Sequence, residues 1–545
     1  MKECSKHWEL QEMKNKNIND SYVRISIVII ALFFAREVNA QDAKLTDSLL
    51  VKVEKNTYWW TGIVNHGSRM PLVDSYQADM RNNYGNQVQP LMLSSAGEVI
   101  WSNDPYQIDF VPGRIKLKGS VKYNKIGSTL KEAYAYASQT YFPPSGKMPD
   151  PLLFTNPQYN TWIELMYDQN QKDILAYANN IIKNGFPPGV LMVDDNWQED
   201  YGKLNFHPGR FSDPKRMISE LHTMGFRVML WVCPFISPDC DVYREVARKK
   251  YLVTDNGGNP AMIRWWNGYS SLIDLTNPDA FNWIKSQLDK LVNEYGVDGF
   301  KLDAGDFEFY ENVNSFKKNA TPQEHSELWG KIGLSYPLNE YRAMWKLGGQ
   351  PLVERLRDKS HGFEDLKLLI PNMLTAGISG YYFSCPDMIG GGEFRSFLDS
   401  AVLDQESVVR SAQCHALMPM MQFSVAPWRI LDAKHFAAVK KSVEIRERYQ
   451  AYILELAVKA AKTGDPIMRS LEFDYPHQGY ERITDQFLLG DRLLVAPVLE
   501  KGATTRKVIV PKGKWKSFKG QIITGPTTID VKAGLDDLPF FESIR

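Results

Sequence analysis

Hydrophobic and polar positions alternate with a period of two in the region that follows residue 40. In Val51-Lys-Val-Glu-Lys55 and Arg114-Ile-Lys-Leu-Lys-Gly-Ser-Val-Lys122 the apolar side chains fall on one face of an extended strand and the polar ones on the other. The prolines of Pro143-Pro144 and Pro149-Asp-Pro151 then interrupt any regular element. This pattern predicts an N-terminal antiparallel β-sandwich over residues 41–152.

From residue 153 the pattern changes to continuous apolar runs that alternate with amphipathic helical segments. The runs are Gly189–Asp195, Phe226–Cys233, Gly299–Asp303 and Gly380–Ser384, and the helical segments are Pro214–Met224, Ala280–Tyr295 and Leu366–Ala376. Repeated β-then-α units indicate a parallel sheet, and the length of this region fits a (β/α)8 TIM-type barrel over residues 153–465. A doubly wound open sheet is the alternative, although no glycine-rich phosphate loop follows any of these strands.

A long helical pattern over residues 434–464 ends the barrel region, and strand patterns return after it. Short apolar runs lie at Phe487-Leu-Leu, Arg492-Leu-Leu-Val-Ala and Lys507-Val-Ile-Val. They predict a small C-terminal β-domain over residues 466–545. The fold class is therefore α/β, with a barrel flanked by two β-domains.

The first forty residues have the pattern of a secretory signal peptide. Arg24 precedes the apolar run Ile25–Phe34, and the small-residue segment Val38–Ala40 resembles a cleavage site. We expect cleavage near Ala40 and a secreted or periplasmic protein. A run of about ten residues is too short to span a bilayer, so no stable membrane association is expected, with membrane anchoring as the alternative.

Charge and cysteine content narrow the range of partners. Lys and Arg number 64 and so do Asp and Glu, which leaves no net positive field to attract nucleic acid. Cys4 would leave with the signal peptide, and Cys233, Cys240, Cys385 and Cys414 show none of the paired spacing of a zinc site. We expect no metal and no organic cofactor. Whether Cys233 and Cys240 form a disulfide, and the oligomeric state, are left open.

Carboxylates follow four of the predicted strands, and a barrel of this type carries its active site at the carboxyl ends of its strands. The acids are Asp194, Asp195, Asp303, Asp306, Asp358 and Asp387. Each alone is explained as a helix cap or a loop ion pair, but the same chemistry at four strand ends favours a site. Glycoside hydrolysis uses two carboxyl groups, about 5–5.5 Å apart in retaining enzymes.

Two of these acids suit the two roles. Asp303 suits the nucleophile, because Lys301 lies two residues earlier on the same face of the strand and its ammonium would keep the carboxylate ionised. Asp358 suits the acid/base, provided that desolvation and a negative neighbour keep it protonated.

The segment Tyr295–Asp306 resembles the nucleophile strand of glycoside hydrolase family 31, with Asp303 in the nucleophile position. The segment Arg357–Leu366 resembles the acid/base segment of that family, with Asp358 in the acid/base position. The family usually has Gly-Asp-Asn and then Trp where this chain has Arg-Asp-Lys and Phe363. The resemblance extends from about residue 155 to residue 510. It implies a retaining α-glycosidase that acts by double displacement on an α-linked oligosaccharide or glycoside.

The resemblance also implies a set of substrate-binding residues. Arg342 lies sixteen residues before Asp358, where the family has a substrate-clamping Arg, and Pro386–Gly392 resembles its Asp-Ile-Gly-Gly segment. Trp265-Trp-Asn-Gly resembles the stretch that carries an aromatic sugar contact. The predicted substrate-binding residues are Asp194, Asp195, Trp197, Trp231, Trp266, Lys301, Arg342 and Asp387.

One departure from the family bears on the sugar. Many α-glucosidases of the family have Arg-x-His after a Pro late in the barrel, whereas Pro419 is followed here by Met-Met-Gln-Phe-Ser. His415 is out of register, and a structural role suits it better. This segment and the form Asp303-Ala-Gly-Asp resemble the α-galactosidase branch, in which Asp194, Asp195 and Trp197 would bind the axial hydroxyl group.

Three alternatives to an exo-acting α-galactosidase remain. The first is the same chemistry on α-glucosides or α-xylosides. The second is a catalytically inactive sugar-binding barrel, because the acid/base segment is altered. The third is a cytoplasmic metal enzyme of another barrel family, which the absence of a His/Asp ligand cluster in the sequence disfavours.

Overall fold

A computed structural model describes residues 46–398 and 403–544. The predicted signal peptide and its cleavage point at Ala40 lie outside these residues. The strands are β1 Thr46–Lys52, β2 Trp59–Ile63, β3 Tyr76–Asp79, β4 Gln87–Ser94, β5 Glu98–Trp101, β6 Gln107–Val111, β7 Arg114–Lys125, β8 Gln158–Asn160, β9 Val190–Val193, β10 Gln198–Asp200, β11 Lys203–Phe206, β12 Arg227–Val232, β13 Phe235–Ile236, β14 Ile263–Trp265, β15 Gly268–Leu272, β16 Gly299–Leu302, β17 Leu338–Tyr341, β18 Met344–Trp345, β19 Glu354–Arg355, β20 Ser384–Cys385, β21 Gln422–Phe423, β22 Met468–Arg469, β23 Phe487–Leu489, β24 Leu493–Val495, β25 Thr505–Ser517, β26 Ile522–Lys532 and β27 Phe540–Ile544.

The α-helices of the described residues range from single turns to one helix of 31 residues. They are α1 Leu130–Tyr141, α2 Leu152–Thr155, α3 Trp162–Leu165, α4 Gln171–Lys183, α5 Pro214–Thr223, α6 Asp241–Arg248, α7 Pro278–Tyr295, α8 Pro322–Gly333, α9 Phe363–Leu366, α10 Leu369–Ile378, α11 Gln405–Ala416, α12 Pro427–Ile430, α13 Ala433–Thr463 and α14 Leu471–Asp474. Within the described ranges, no helix combines the length and the apolar character that a membrane span requires.

The N-terminal domain is an eight-stranded sheet in the order β18-β4-β5-β7-β6-β3, with β1 beside β7 and β2 beside β4. Strand β7 joins two halves of this sheet, because its first part pairs with β6 and β1 and its last part with β5. Gly119 lies between these parts at φ +139, where a Cβ would come within 2.8 Å of the Cβ of Tyr106. The predicted N-terminal antiparallel domain is confirmed. Helix α1 within it was not predicted, although Thr129 and Glu132 form a capping box at its start.

The central domain is a nearly closed barrel of eight parallel strands, in the order β20-β19-β17-β16-β12-β9-β8-β21. The two end strands approach each other where Ile389 N donates to Gln422 O at 2.7 Å. The predicted (β/α)8 barrel is confirmed, and the open-sheet alternative is wrong. Helix α5 begins where the sequence predicted, because Asp213 accepts from Arg216 N and Pro214 occupies the first turn.

The predicted strand Gly380–Ser384 is shorter in the structure and starts only at Ser384. Gly380, at φ +85, and Tyr381 donate their backbone N–H groups to carbonyls of helix α10, so they end that helix.

A second antiparallel sheet forms the C-terminal domain, with the order β22-β23-β24-β27-β25-β26. It follows helix α13, which Asp432 caps at its start and the left-handed Gly464 ends at φ +75. The four cysteines of the described residues are buried free thiols, so Cys233 and Cys240 do not form a disulfide in this structure.

Candidate active site

The candidate nucleophile Asp303 directly follows strand β16 and is held by three donors. Its Oδ1 accepts from Arg342 Nε at 2.9 Å and from Ala304 N at 2.9 Å, and its Oδ2 accepts from Trp231 Nε1 at 3.0 Å. The side chain is only 12% exposed. Ala304 adopts φ +60, a left-handed conformation that is strained for a residue with a side chain. The orientation of the Asp303 carboxylate is therefore fixed by neighbours on two adjacent strands and by its own loop.

The charges around Asp303 keep it ionised. Burial alone would raise its pKa, but the cations of Arg342, Lys301 and Arg355 outweigh burial and hold the pKa well below the ordinary value of an aspartate. A carboxylate that stays anionic over the whole physiological range is suited to attack an electrophilic carbon.

Arg342 connects Asp303 to a second acid. Its Nη1 donates to Asp306 Oδ1 at 3.1 Å, and its Nη2 also pairs with Asp306. Its guanidinium carbon lies 5.5 Å from the ring centroid of Trp266, which the β14–β15 hairpin presents with 46% of its surface exposed. An exposed indole beside the site can stack on a sugar ring, as predicted for Trp266.

The candidate acid/base Asp358 follows strand β19 and has fewer contacts. Its Oδ1 accepts from Arg355 Nη1 at 2.6 Å, and its side chain is 39% exposed. The same Nη1 lies 2.7 Å from Asp387 Oδ1, and Arg355 Nε lies 3.3 Å from Glu340 Oε1. One guanidinium with 1% exposure thus contacts three carboxyl groups, which share its single positive charge.

Asp387 is buried behind the acid/base, at φ +87. Its Oδ2 accepts from Lys359 N at 2.8 Å and from Gly392 N at 3.1 Å. Burial raises the pKa of Asp387 to about 6, with Asp358 adding to the rise and Arg355 opposing it. Gly392 allows this approach, because a Cβ there would lie 2.8 Å from the Oδ1 atoms of both Asp358 and Asp387.

The acids after strand β9 form two separate contacts. Lys301 Nζ donates to Asp194 Oδ2 at 2.7 Å, and both side chains are nearly fully buried. Asp195 accepts from Tyr201 OH at 3.0 Å and from Asn267 Nδ2 at 2.8 Å. Burial, with Asp194 adding, raises the pKa of Asp195 to about 7.

Trp197 does not fit the predicted sugar contact. Its side chain is fully buried, its Nε1 donates to Trp231 O at 2.7 Å, and its ring packs 4.8 Å from that of Phe206. Asn196, at φ +74, redirects the chain between the two acids and this tryptophan. Trp197 therefore binds the backbone of Trp231 and has no exposed surface for a sugar.

Three polar residues of the site were missed from the sequence. Arg355 carried a usable signal, because a charged side chain inside a buried barrel strand needs a partner. Tyr201 and Asn267 lie in loops, and nothing local connects them to Asp195. Among the described residues, one group could hold a metal, Glu472, His477 and Glu481, and it includes none of the predicted site residues.

Two family models match this chain. The Glycosyl hydrolases family 31 TIM-barrel domain matches residues 153–354, and the Glycosyl hydrolase family 31 C-terminal domain matches residues 464–542. The chain belongs to glycosyl hydrolase family 31.

The curated relatives of this family 31 chain are longer than the chain. It is 34% identical over 430 residues to the myogenesis-regulating glycosidase of Mus musculus, a match that covers 76% of the chain and 60% of the relative. It is 25% identical over 406 residues to alpha-glucosidase 2 of Bacillus thermoamyloliquefaciens, covering 68% of the chain and 50% of the relative. The family 31 chain thus spans about half to three fifths of these relatives' length.

Solved structures share the fold. A GH31 dextranase of Flavobacterium johnsoniae complexed with glucose superposes with a TM-score of 0.83 at 22% identity, over 91% of this chain and 66% of the dextranase. A GH31 alpha-xylosidase from a soil metagenome, complexed with xylose, gives a TM-score of 0.79 at 22% identity, over 93% of this chain and 82% of the xylosidase.

Proposed function

We propose that this protein is an exo-acting retaining α-glycosidase that hydrolyses terminal α-linked sugars by double displacement. The observation that carries the proposal is the buried Asp303 carboxylate, which three donors orient and three cations keep ionised, together with a second and more exposed carboxyl at Asp358. Paired carboxyl groups in these two different environments are what the retaining mechanism requires.

In the first step an oxygen of Asp303 bonds to the anomeric carbon while the bond to the leaving oxygen breaks. The proton of Asp358 passes to that oxygen. In the second step water attacks the anomeric carbon, Asp358 takes the proton of the water, and the bond to Asp303 breaks. Charge stays balanced, because Asp358 becomes anionic as the Asp303 carboxylate becomes a neutral ester, and the second step reverses both changes.

The finer proposal is an α-galactosidase acting outside the cytoplasm. It rests on the form Asp303-Ala-Gly-Asp, on the lack of Arg-x-His after Pro419, and on the signal-like segment before residue 41. Asp194 and Asp195 supply carboxylate oxygens that can accept from sugar hydroxyl groups. A hydroxyl group would replace a present donor, Lys301 at Asp194 or Tyr201 at Asp195.

The second candidate is an α-glucosidase or α-xylosidase. Its support is the names of relatives, which include alpha-glucosidase 2 and the alpha-xylosidase XylQ of Lactiplantibacillus pentosus. Both candidates use the same two carboxyl groups and differ only in the sugar that the pocket accepts.

A hydrolysis panel on residues 41–545 separates these proposals. Aryl α-galactoside, α-glucoside and α-xyloside are compared at equal concentration, with Asp303→Ala as the blank. A preference for the galactoside supports the finer proposal, and a preference for either of the other sugars replaces it with the second candidate. No hydrolysis of any of the three glycosides would favour an inactive sugar-binding barrel.

A further inference from the structure

The short segment Asn83–Gln87 of the N-terminal domain contacts two residues of the candidate active site, Asp306 and Arg342. Asn83 Nδ2 donates to Asp306 Oδ1 at 2.8 Å, and Asn83 is 3% exposed. Gly85 O accepts from Arg342 Nη1 at 3.1 Å. Arg342 pairs with Asp306 and also donates to Asp303, so a chain of contacts leads from this segment to the nucleophile.

Two further amides of the segment bind both catalytic strand ends at once. Asn86 Nδ2 donates to the carbonyl oxygens of Arg342 at 2.8 Å and Arg355 at 3.0 Å, and Gln87 Nε2 donates to the same two oxygens at 3.0 Å each. Arg357 N donates to Asn86 Oδ1 at 3.1 Å. Both amides are fully buried. The carbonyls of the residues that hold the two candidate catalytic acids are therefore joined through one segment.

The backbone makes the same connection. Strand β18, which follows Arg342 by one residue, leaves the barrel and pairs in parallel with β4, placing Met344 beside Gln87 and Trp345 beside Val88. Gly85 lies at φ +71, a conformation that a side chain would strain. A short strand from the barrel region thus joins the neighbouring sheet directly after Arg342.

We propose that the segment Asn83–Gln87 is a positioning element of the active site. Asn83 acts through Asp306 and Arg342 on the angle at which Asp303 faces the anomeric carbon. Asn86 and Gln87 set the separation of the strand ends that carry Arg342 and Arg355. A deviation of about 1 Å in such a pair is enough to slow a displacement strongly. This inference rests on the proposed function.

The test measures the rate at which the glycosyl-enzyme forms. The reagent is a fluorinated glycosyl fluoride, with fluoride as the leaving group and a second fluorine on the ring, of the sugar preferred in the panel. Asn83→Ala should be labelled about 10- to 100-fold more slowly than the wild type, because the hydrogen bond that holds Asp306 is lost. Its midpoint of thermal unfolding should stay nearly unchanged, since only one hydrogen bond is removed. The loss should fall on kcat and leave KM nearly unchanged. The matched control is Asn156→Ala, which removes an amide that donates to Pro188 O at 2.7 Å before strand β8.

A second variant keeps the inference falsifiable through its pH dependence. Asn83→Asp places a carboxylate against Asp306 and should label more slowly than Asn83→Ala at neutral pH. Its rate relative to the wild type should recover as the pH falls, because a protonated Asp at position 83 can donate to Asp306 again. A merely structural asparagine would give no such recovery.

The outcomes separate the two proposals. Wild-type rates in Asn83→Ala, or equal losses in Asn156→Ala, would overturn the positioning role while the proposed function stands. A wild type that hydrolyses no glycoside and forms no adduct would overturn the proposed function, and the inference with it.

Discussion

The two sides of the candidate active site are built differently. On the nucleophile side, Asp303 is 12% exposed and accepts from an indole, a guanidinium and a backbone N–H group. On the acid/base side, Asp358 is 39% exposed and has one guanidinium contact, which it shares with Asp387 and Glu340. A nucleophile benefits from one fixed orientation and one charge state. An acid/base has to change its charge in each half-reaction, so a lightly held carboxyl suits it.

The difference also shows in how each carboxyl is charged. Three cations hold the pKa of Asp303 low against the effect of burial. On the other side one arginine faces three acids, and burial brings the pKa of Asp387 up to about 6. The charge of Arg355 is thus shared by three carboxyl groups, whereas the single carboxylate of Asp303 lies in the field of three cations.

The largest effect is expected from Asp303→Ala. Removal of the nucleophile should lower kcat at least about 10⁴-fold while the fold stays intact. The assay is hydrolysis of the preferred aryl glycoside, with circular dichroism as the check on folding. Asp109→Ala removes an exposed aspartate of β6 and serves as the control. Normal turnover in Asp303→Ala would contradict the assignment of the nucleophile.

The sequence indicated both candidate carboxyl groups, whose roles stay predictions, but not most of the contacts that hold them. Asp303 follows the largely apolar strand Gly299–Leu302, and that signal is local. The strand before Asp358 is the charged pair Glu354–Arg355. The hydrogen bonds that Trp231 and Arg342 donate to Asp303 depend on the order of strands around the barrel, and no local sequence pattern predicts that order. The sharing of Arg355 is likewise a property of three strand ends together.

Loop geometry explains the remaining misses. Trp197 is two residues from Asp195 in the sequence, but the left-handed Asn196 sends it into the core. The contacts of Asn83 and Asn86 cross more than two hundred positions of the chain, so sequence alone gives no reason to pair them with the barrel.

The second prediction concerns Asp358→Ala. Loss of the acid should slow glycosides with poor leaving groups by about 10²- to 10⁴-fold, and activated aryl glycosides far less, because their leaving groups need no proton. The measurement is kcat/KM across aryl glycosides whose phenols differ in acidity. Equal losses on all of them would indicate that another group is the acid.

Gly392→Ala should give a smaller loss on the same side. The added Cβ would lie 2.8 Å from the Oδ1 atoms of Asp358 and Asp387 and would displace them, while Asp303 is untouched. We expect about a 10-fold loss with poor leaving groups and little change in the rate of labelling by a glycosyl fluoride. A labelling rate that falls as much as hydrolysis would show that the two sides are not independent.

The last prediction concerns stability, not turnover. The folded-state pKa of Asp195 is raised to about 7, so its contribution to stability is present at acid pH and is lost as the pH rises toward that value. From about pH 5.5 to about pH 8, ionisation of Asp195 should lower the free energy of unfolding of the wild type by roughly 2 kcal/mol. Urea unfolding at the two pH values should show no such decrease in Asp195→Asn. If the variant lost as much unfolding free energy as the wild type between these pH values, Asp195 would not be the titrating group.

Peptide mapping of the trapped glycosyl-enzyme tests the double-displacement mechanism most directly. The protein is incubated with the fluorinated glycosyl fluoride, digested and analysed by mass spectrometry. The mechanism predicts one added glycosyl group per chain, on the peptide that contains Asp303, and no adduct in Asp303→Ala. Turnover of the glycosyl fluoride with inverted anomeric product, or an adduct on any other carboxyl group, would contradict it.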